Sequence, residues 1–359
     1  MNKAGFQDII TIDYLNDHAL GVSYHNGKIF NTPFTIPGEV VKIEILGKKK
    51  GALACKLLDI IESSPKRVSP LCPCFGVCGG CEMQHISYDE QVAIKQRWIK
   101  QLFASAGQTI IRDIIPSPEP YHYRNRITLH HLKKTWGFYK RLSHELIAID
   151  ECKIASQPLN LKLKLKTVNK TAPQEAEVFE LREDAGHSFQ QVNSAQNQNL
   201  IDTVCSYCLN KKSLTALELY CGSGNLSFEI TKKFKTVMAV DGDPEAVRQA
   251  QVAKKNRGEK NIQFIHSPVY DAVFNMVQEL RQFDVVVCDP PREGLRETAR
   301  LIPRLKPRRI ICVSCNPSSL ASDARVLIQN GYQLSEITPI DMFPQTRHVE
   351  TVACFDPKN

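Results

Sequence analysis

The chain has 359 residues, 42% of them hydrophobic, enough to bury a full core and to divide into two or three domains. Its 46 Lys and Arg against 38 Asp and Glu leave a formal charge of +8, which favours a polyanionic partner. No run of 18 apolar residues occurs and MNKAGFQDIITIDY carries neither an h-region nor a cleavage site, so no membrane span or export is expected.

Thirteen Cys in such a chain point to a reducing compartment, taken as the cytoplasm, where clustered thiols serve as metal ligands or nucleophiles rather than disulfides. Residues 7 to 62 read as short alternating strands (DIITIDY, KIFNTPFTI, EVVKIEILG, LACKLLDIIES) between Gly, Asn and Pro turns. That is the pattern of a small antiparallel barrel of the kind that binds oligonucleotides. Lys48, Lys49 and Lys50 fall in a turn, where they serve either as a solvated basic hairpin or as an RNA contact.

A cysteine-rich loop follows over residues 70 to 85, then an amphipathic helix from Ser87 to Ala106 that stops near Gly107. Strands return between 121 and 150 (YRNRITLHHL, TWGFYKR, LIAID), with basic side chains interleaved with aromatic ones. Such strands suit phosphate contacts and base stacking, although the edge of a solvated sheet looks the same. The short LKLKLK over 161 to 166 is the one biased tract.

From Leu214 onward apolar strands and amphipathic helices alternate: TALELY, TVMAVD, NIQFIH, FDVVVCD and RIICVSC, with helices near 225–234, 244–256, 295–304 and 318–330. This is the rhythm of an α/β, doubly wound, mostly parallel sheet of Rossmann-like type. Ligands of such sheets bind beyond the carboxyl ends of the strands.

ELYCGSGNLSF places Gly222 and Gly224 where a strand turns into a helix, without the third glycine of the dinucleotide fingerprint. About 20 residues later TVMAVD ends in Asp241, where an acid can bind a ribose diol. Together these favour S-adenosylmethionine over NAD. Asn225 either touches that cofactor or caps the following helix.

Asp289, in DPPR, and Cys315, in ICVSCNP, close two successive strands that should lie side by side, about 5 Å apart if directly paired. Cys288 and Cys312 read as inert buried thiols; Cys315 differs by sitting in a Ser-Cys-Asn-Pro break at the strand's end. A free thiol ionises near pH 8.5, so attack needs a partner that lowers this value. His348 is the one candidate the sequence offers. Glu350 opens the last strand, VETVACF, as an edge charge or a general base. A thiol, a late carboxylate and a glycine turn are the parts needed to methylate carbon 5 of a uracil: the thiolate adds to carbon 6, the enolate takes the methyl group, and the base removes the carbon 5 proton. In methylases of exocyclic amines an aromatic residue normally follows D-P-P; here Arg292 stands there.

Cys72, Cys78 and Cys81, with Gly76, Gly79 and Gly80 allowing a tight wrap, have metal-ligand spacing. A fourth ligand from Cys74 would give a zinc-like set, and one from Cys152 an iron–sulfur cluster. Cys205 and Cys208 lack a second pair and read as structural.

Taken together these residues resemble the RNA uracil-5-methyltransferase family along nearly the whole chain. LGVSYHNGKIFNTPFTIPGEVVKIEI resembles its TRAM domain, an OB-like RNA-binding module, and CPCFGVCGGCEMQH its four-iron, four-sulfur motif. The resemblance implies cluster ligation by Cys72, Cys78, Cys81 and Cys152. It also implies S-adenosylmethionine contacts at Gln191, Tyr220, Asn225, Asp241 and Asp289, with Phe189 near a flipped base, nucleophile Cys315 and general base Glu350. The organisation it implies is a barrel over 1–62, a small cluster-binding middle domain over 63–185 and the catalytic domain over 186–359. The expected partner is structured RNA, 23S rRNA first and transfer RNA second, bound by a monomer.

Overall fold

The computed structural model describes residues 5–132, 135–168, 177–183, 191–209 and 214–358. The chain divides into two compact units, neither of them a continuous stretch. Unit 1 is Met1–Trp98, Glu119–Asp184 and Phe343–Arg347; unit 2 is Ile99–Pro118, Ala185–Met342 and His348–Asn359.

Unit 1 opens with a six-stranded sheet ordered Gln7–Thr11, Val40–Lys49, Ala52–Glu62, Lys28–Pro33, Leu20–His25, Tyr14–Leu15. Alternation sets its faces. Val41, Ile43 and Ile45 point inward with Ile10, Ile12, Phe30 and Cys55, while Lys42 and Leu46 point out. Glu39 is fully buried and is gripped by Arg67 through two short bonds, Nε to Oε1 at 2.6 Å and an Nη to Oε2 at 2.7 Å.

A second, four-stranded antiparallel sheet is ordered Leu146–Ala148, Thr135–Tyr139, Arg126–Leu132, Glu177–Arg182. The helix Gln157–Val168 packs Leu159 and Leu163 into its core beside Trp136 and leaves Leu161 and Leu165 exposed. Leucine at every second position is compatible with a strand, but i and i+4 also share one helix face. Phe343–Arg347 is tied into this unit by a pair of side-chain bonds: Gln345 N donates to Gln91 Oε1 at 3.0 Å and Gln91 Nε2 to Gln345 Oε1 at 2.9 Å.

Unit 2 is built on an eight-stranded sheet. Its order is Ile262–His266, Thr236–Asp241, Thr215–Leu219, Val285–Cys288, Arg309–Ser314, Glu350–Pro357, Tyr332–Ile340, Ile110–Ile111. The first five strands are parallel, and Glu350–Pro357 is antiparallel to both neighbours. Near-continuous Val, Ile and Leu runs make the central strands fully buried, as a sheet covered on both faces requires. From Thr215–Leu219 the chain winds outward to Ile262–His266, then returns to Val285–Cys288 on the other side. This reversal opens a crevice at the carboxyl ends.

The helices are Ser194–Tyr207, Ser227–Thr231, Pro244–Arg257, Val269–Gln278, Thr298–Leu301 and Pro317–Gln329. The one expected near 295–304 is only four residues long and tightens into a 3-10 turn at Ile302–Leu305, because Pro303 removes a backbone donor. The helix expected over Ser87 to Ala106 runs Tyr88–Leu102, ending four residues short of Ala106. Among the described residues no helix is long and apolar enough to cross a membrane.

Candidate active site

Strand register brings the thiol and the carboxylate together. Ser314 is paired with Thr351, the last pair of that antiparallel ladder, so Cys315 and Glu350 come next beyond it on the two chains, near enough for the Glu350 charge to act on the Cys315 thiol. Thr351 Oγ1 donates to Ser314 O at 3.1 Å and ties this end of the ladder. Cys288 is paired with Cys312, so Asp289 and Cys315 follow adjacent strands as expected but are not level. Cys315 projects two residues further outward.

Cys315 stands between the end of its strand and the helix Pro317–Gln329, whose Pro at the first turn needs no amide partner. Asn316 is extended (φ −134°) and makes no side-chain cap. Instead its Nδ2 donates to Arg292 O at 3.1 Å, and Ser319 Oγ donates to the same carbonyl at 3.1 Å. The DPPREGL loop is thereby fastened to the helix that follows Cys315. Gly294, at φ +81°, completes that loop where an added Cβ would meet Asp323 Oδ2 at 2.5 Å.

The electrostatics are those of a nearly dry acidic crevice. Glu350 is 3% exposed; burial, and then the charge of Asp289, hold its carboxyl well above the usual carboxylate range. Burial and then Asp241 push Asp289 up to about 7. Cys315 is partly exposed, and burial followed by the negative charges of Glu350 and Asp289 pushes its thiol up to about 11. Arg292 acts the other way and favours the thiolate, a role for which the sequence had offered His348. The adjacent helix N-terminus also favours a negative sulfur.

The crevice lies around the turn after Thr215–Leu219. Tyr220 takes φ +61°, a left-handed conformation costly for a bulky residue and found where a site over-determines the backbone. Its hydroxyl bonds Thr298, and burial raises its pKa. Gly224, at φ +96°, has Phe228 2.7 Å from where a Cβ would sit, so only glycine fits. Gly222, at φ +52°, has open space there, a cradle for a ligand's approach. Asp241 Oδ2 accepts from Gly222 N at 2.8 Å and Oδ1 from Asp243 N at 2.8 Å, so the acid shapes the turn it faces.

Asn225 does not cap the next helix. It exchanges two 2.9 Å bonds with Asn197, in the helix Ser194–Tyr207. That helix is capped by Asn193, and Gln191, buried, lies just before the cap. Phe189 lies outside the described residues.

Two further residues were missed in the sequence. Asn197 gave no signal of its own. Glu218, an acid in the apolar run TALELY, did: it is 2% exposed, its Oε2 has no hydrogen-bond partner, and burial with Asp289 and Asp241 nearby pushes it up to about 8.

In unit 1, five thiols line one cavity of about 210 Å³: Cys72, Cys74, Cys78, Cys81 and Cys152. The loop is wound by Phe75 N to Cys72 O at 3.0 Å and Cys78 N to Cys74 O at 2.9 Å. Asn160 brackets Cys152, accepting from its N at 2.8 Å and donating to its O at 3.1 Å. Burial raises the thiols of Cys78 (to about 11), Cys81 and Cys152. Among the described residues no three His, Cys, Asp or Glu side chains are grouped closely enough for a single metal ion, whose thiolate ligands sit about 2.3 Å from the metal. Donor set and cavity size suit a body larger than one ion.

A doubly wound sheet with a glycine turn, an acidic strand end and a paired thiol and carboxylate defines a nucleoside-binding enzyme equipped for covalent catalysis. The family model for tRNA (uracil-5-)-methyltransferase matches residues 164–356, and that for the TRAM domain of tRNA (uracil(54)-C(5))-methyltransferase matches residues 10–66. The chain belongs to the tRNA (uracil-5-)-methyltransferase family, and it is an RNA uracil-5-methyltransferase.

It is similar to the 23S rRNA (uracil(1939)-C(5))-methyltransferase of Shewanella sediminis, at 29% identity over 97% of this chain and 95% of that protein. It is likewise similar to an uncharacterized RNA methyltransferase of Halalkalibacterium halodurans, at 28% identity over 98% and 97%. In fold it resembles the Pyrococcus abyssi tRNA (uracil-54, C5)-methyltransferase, whose structure was solved with S-adenosyl-L-homocysteine. The TM-score is 0.72, with 23% identity over 97% of this chain and all of that one.

Proposed function

We propose that the protein methylates carbon 5 of one uridine in 23S rRNA, with Cys315 as nucleophile, Glu350 as general base and S-adenosylmethionine as methyl donor. The register that ends at Ser314 and Thr351, and so leaves Cys315 within reach of the Glu350 charge at the ligand-binding end of the sheet, carries this reading. The names of the full-length relatives support ribosomal over transfer RNA.

The uridine is flipped from its stack into the crevice. The Cys315 sulfur bonds to carbon 6, the carbon 5–carbon 6 π pair moves toward the ring carbonyl, and carbon 5 becomes nucleophilic. S-adenosylmethionine, when bound, supplies the methyl group that carbon 5 takes up. Glu350, made more basic by burial, then removes the carbon 5 proton, and the double bond re-forms as the thiolate leaves. Tyr220, Asn225, Asp241, Asp289 and Gln191 would hold the donor; the open side of Gly222 and the free lone pairs of Asp241 fit it.

Cys72, Cys78, Cys81 and Cys152 would hold a four-iron, four-sulfur cluster of structural role in a middle domain over 63–185, between the barrel over 1–62 and the catalytic domain over 186–359. The test is methylation of 23S rRNA and tRNA transcripts in vitro, with nucleoside mass spectrometry. Wild type forms 5-methyluridine in the ribosomal transcript and Cys315→Ala forms none. Product confined to tRNA would overturn the substrate, and turnover by Cys315→Ala the mechanism.

A further inference from the structure

Beside the cysteine loop, unit 1 carries a second cavity, an open groove of about 480 Å³ that the chemistry above does not use. One wall is the backbone of Gly79 and Gly80; the other is the strand Thr135–Tyr139 and the turn that follows it. The two walls are joined, since Gly79 N donates to Tyr139 O at 3.1 Å and Arg141 N to Val77 O at 2.8 Å.

Three rings form a ladder along this groove. His130 lies 4.2 Å from Tyr139, centroid to centroid, at 33°, and His144 stands edge-on to Tyr139 at 5.6 Å. Tyr139 is 36% exposed and His144 is exposed, so the outer end of the ladder is open to solvent. His130 Nδ1 is buried without a hydrogen-bond partner. At the mouth, Leu142 is 87% exposed at φ +55°, a strained turn presenting an apolar side chain to solvent. Lys140 sits on the rim, paired at 2.8 Å with Glu145 in an ion pair exposed at both ends. Among the described residues no carboxylate lines the groove.

Exposed aromatic rings and a rim cation, with no carboxylate lining the groove, are the parts of a site for an unpaired nucleobase and its phosphate. We infer that this groove captures a single-stranded nucleobase of the RNA substrate outside the catalytic crevice. The base stacks against Tyr139 and His144, and Lys140 exchanges Glu145 for the phosphate. The inference rests on the RNA-methylating reading and extends it to a second point of RNA capture.

The test is binding and turnover of a 23S rRNA transcript by the full chain. Tyr139→Ala and His144→Ala are each expected to weaken binding about 5- to 150-fold, the range of one lost stacking partner. The loss appears in KM for RNA, with kcat and KM for S-adenosylmethionine unchanged, and Tyr139→Phe restores affinity. Lys140→Ala lowers the slope of log affinity against log salt by about 1. A transcript carrying 4-thiouridine crosslinks to the peptide holding Tyr139 or His144. Because Tyr139→Ala can unsettle the sheet, Tyr139→Leu is the second variant; it melts as wild type and still loses affinity.

Wild-type affinity in Tyr139→Leu, or crosslinks confined to other peptides, would overturn the groove while leaving methylation intact. Tyr139-dependent binding without any 5-methyluridine would instead overturn the parent reading and leave the groove standing.

Discussion

Replacing Glu350 with glutamine keeps the side chain's size in a position only 3% exposed and removes its ability to take a proton. In the mechanism proposed above, this change touches two separate steps. Addition depends on the Cys315 thiolate. With its thiol pushed up to about 11, only about one molecule in 10³ is ionised at pH 8, and the rate of addition rises about tenfold per pH unit below 11. Glu350 opposes that ionisation, so glutamine leaves addition unchanged where the acid is protonated and speeds it once the acid would have ionised. Elimination needs the base, whose loss costs about 10²- to 10⁴-fold. The variant therefore accumulates a methylated RNA–protein adduct that resolves about 10²- to 10⁴-fold more slowly than in wild type. Denaturing gels of labelled RNA, with the adduct's mass measured, check this. Wild-type turnover with no adduct would refute Glu350 as the base, and addition independent of pH between about 7 and 10 would refute free-thiol ionisation as its limit.

Anaerobically purified protein is expected to carry iron and sulfide in equal amounts, lost in Cys152→Ser and kept in Cys74→Ser; stoichiometric zinc without iron would contradict the cluster. Glu218 has a folded pKa of about 8 against an ordinary 4.5, so the unfolded chain releases this proton first and wild type loses stability as pH rises between those values. Glu218→Gln, with no proton to lose, should gain melting temperature over wild type progressively from about pH 5 to 8, and a gap constant across that range would count against the shift. Arg67→Met leaves the buried Glu39 carboxylate without its cation, held only by Ile36 N at 2.8 Å and Ser64 N at 3.3 Å, and should cost about 3–5 kcal/mol in chemical unfolding; a cost below about 1 kcal/mol would show that these two amides suffice.

The catalytic sheet was legible because its strands are unbroken apolar runs and its site residues stand at strand ends, where sequence shows the break in pattern: Tyr220 after TALEL, Asp289 after VVVC, Cys315 after RIICVS. Register was not legible. Nothing in the composition says that Cys315 projects two residues beyond Asp289, since hydrogen-bonded pairing is set by the twist and length of several strands at once. Contacts between polar side chains were equally hidden, as with Asn197 and Asn225, which lie 28 residues apart. The Val269–Gln278 helix went unread because it follows directly on a strand and a Ser-Pro step. LKLKLK was assigned no element, since both periodicities fit it. The tie was broken by packing of Leu159 and Leu163 and by the turn at Ser156, whose Oγ accepts from Leu159 N at 3.4 Å.

Because each unit is assembled from three separate stretches, the catalytic half cannot be lifted out as a cassette. A fragment starting at Ala185 would lack Ile110–Ile111, which pairs with Tyr332–Ile340, and Ile115, whose N donates to Pro339 O at 2.9 Å. The stripped border would bare a row of amides and carbonyls ready to recruit foreign chains. Shortened versions of this polypeptide should therefore precipitate, and its lineage should diversify through loop changes rather than by trading modules.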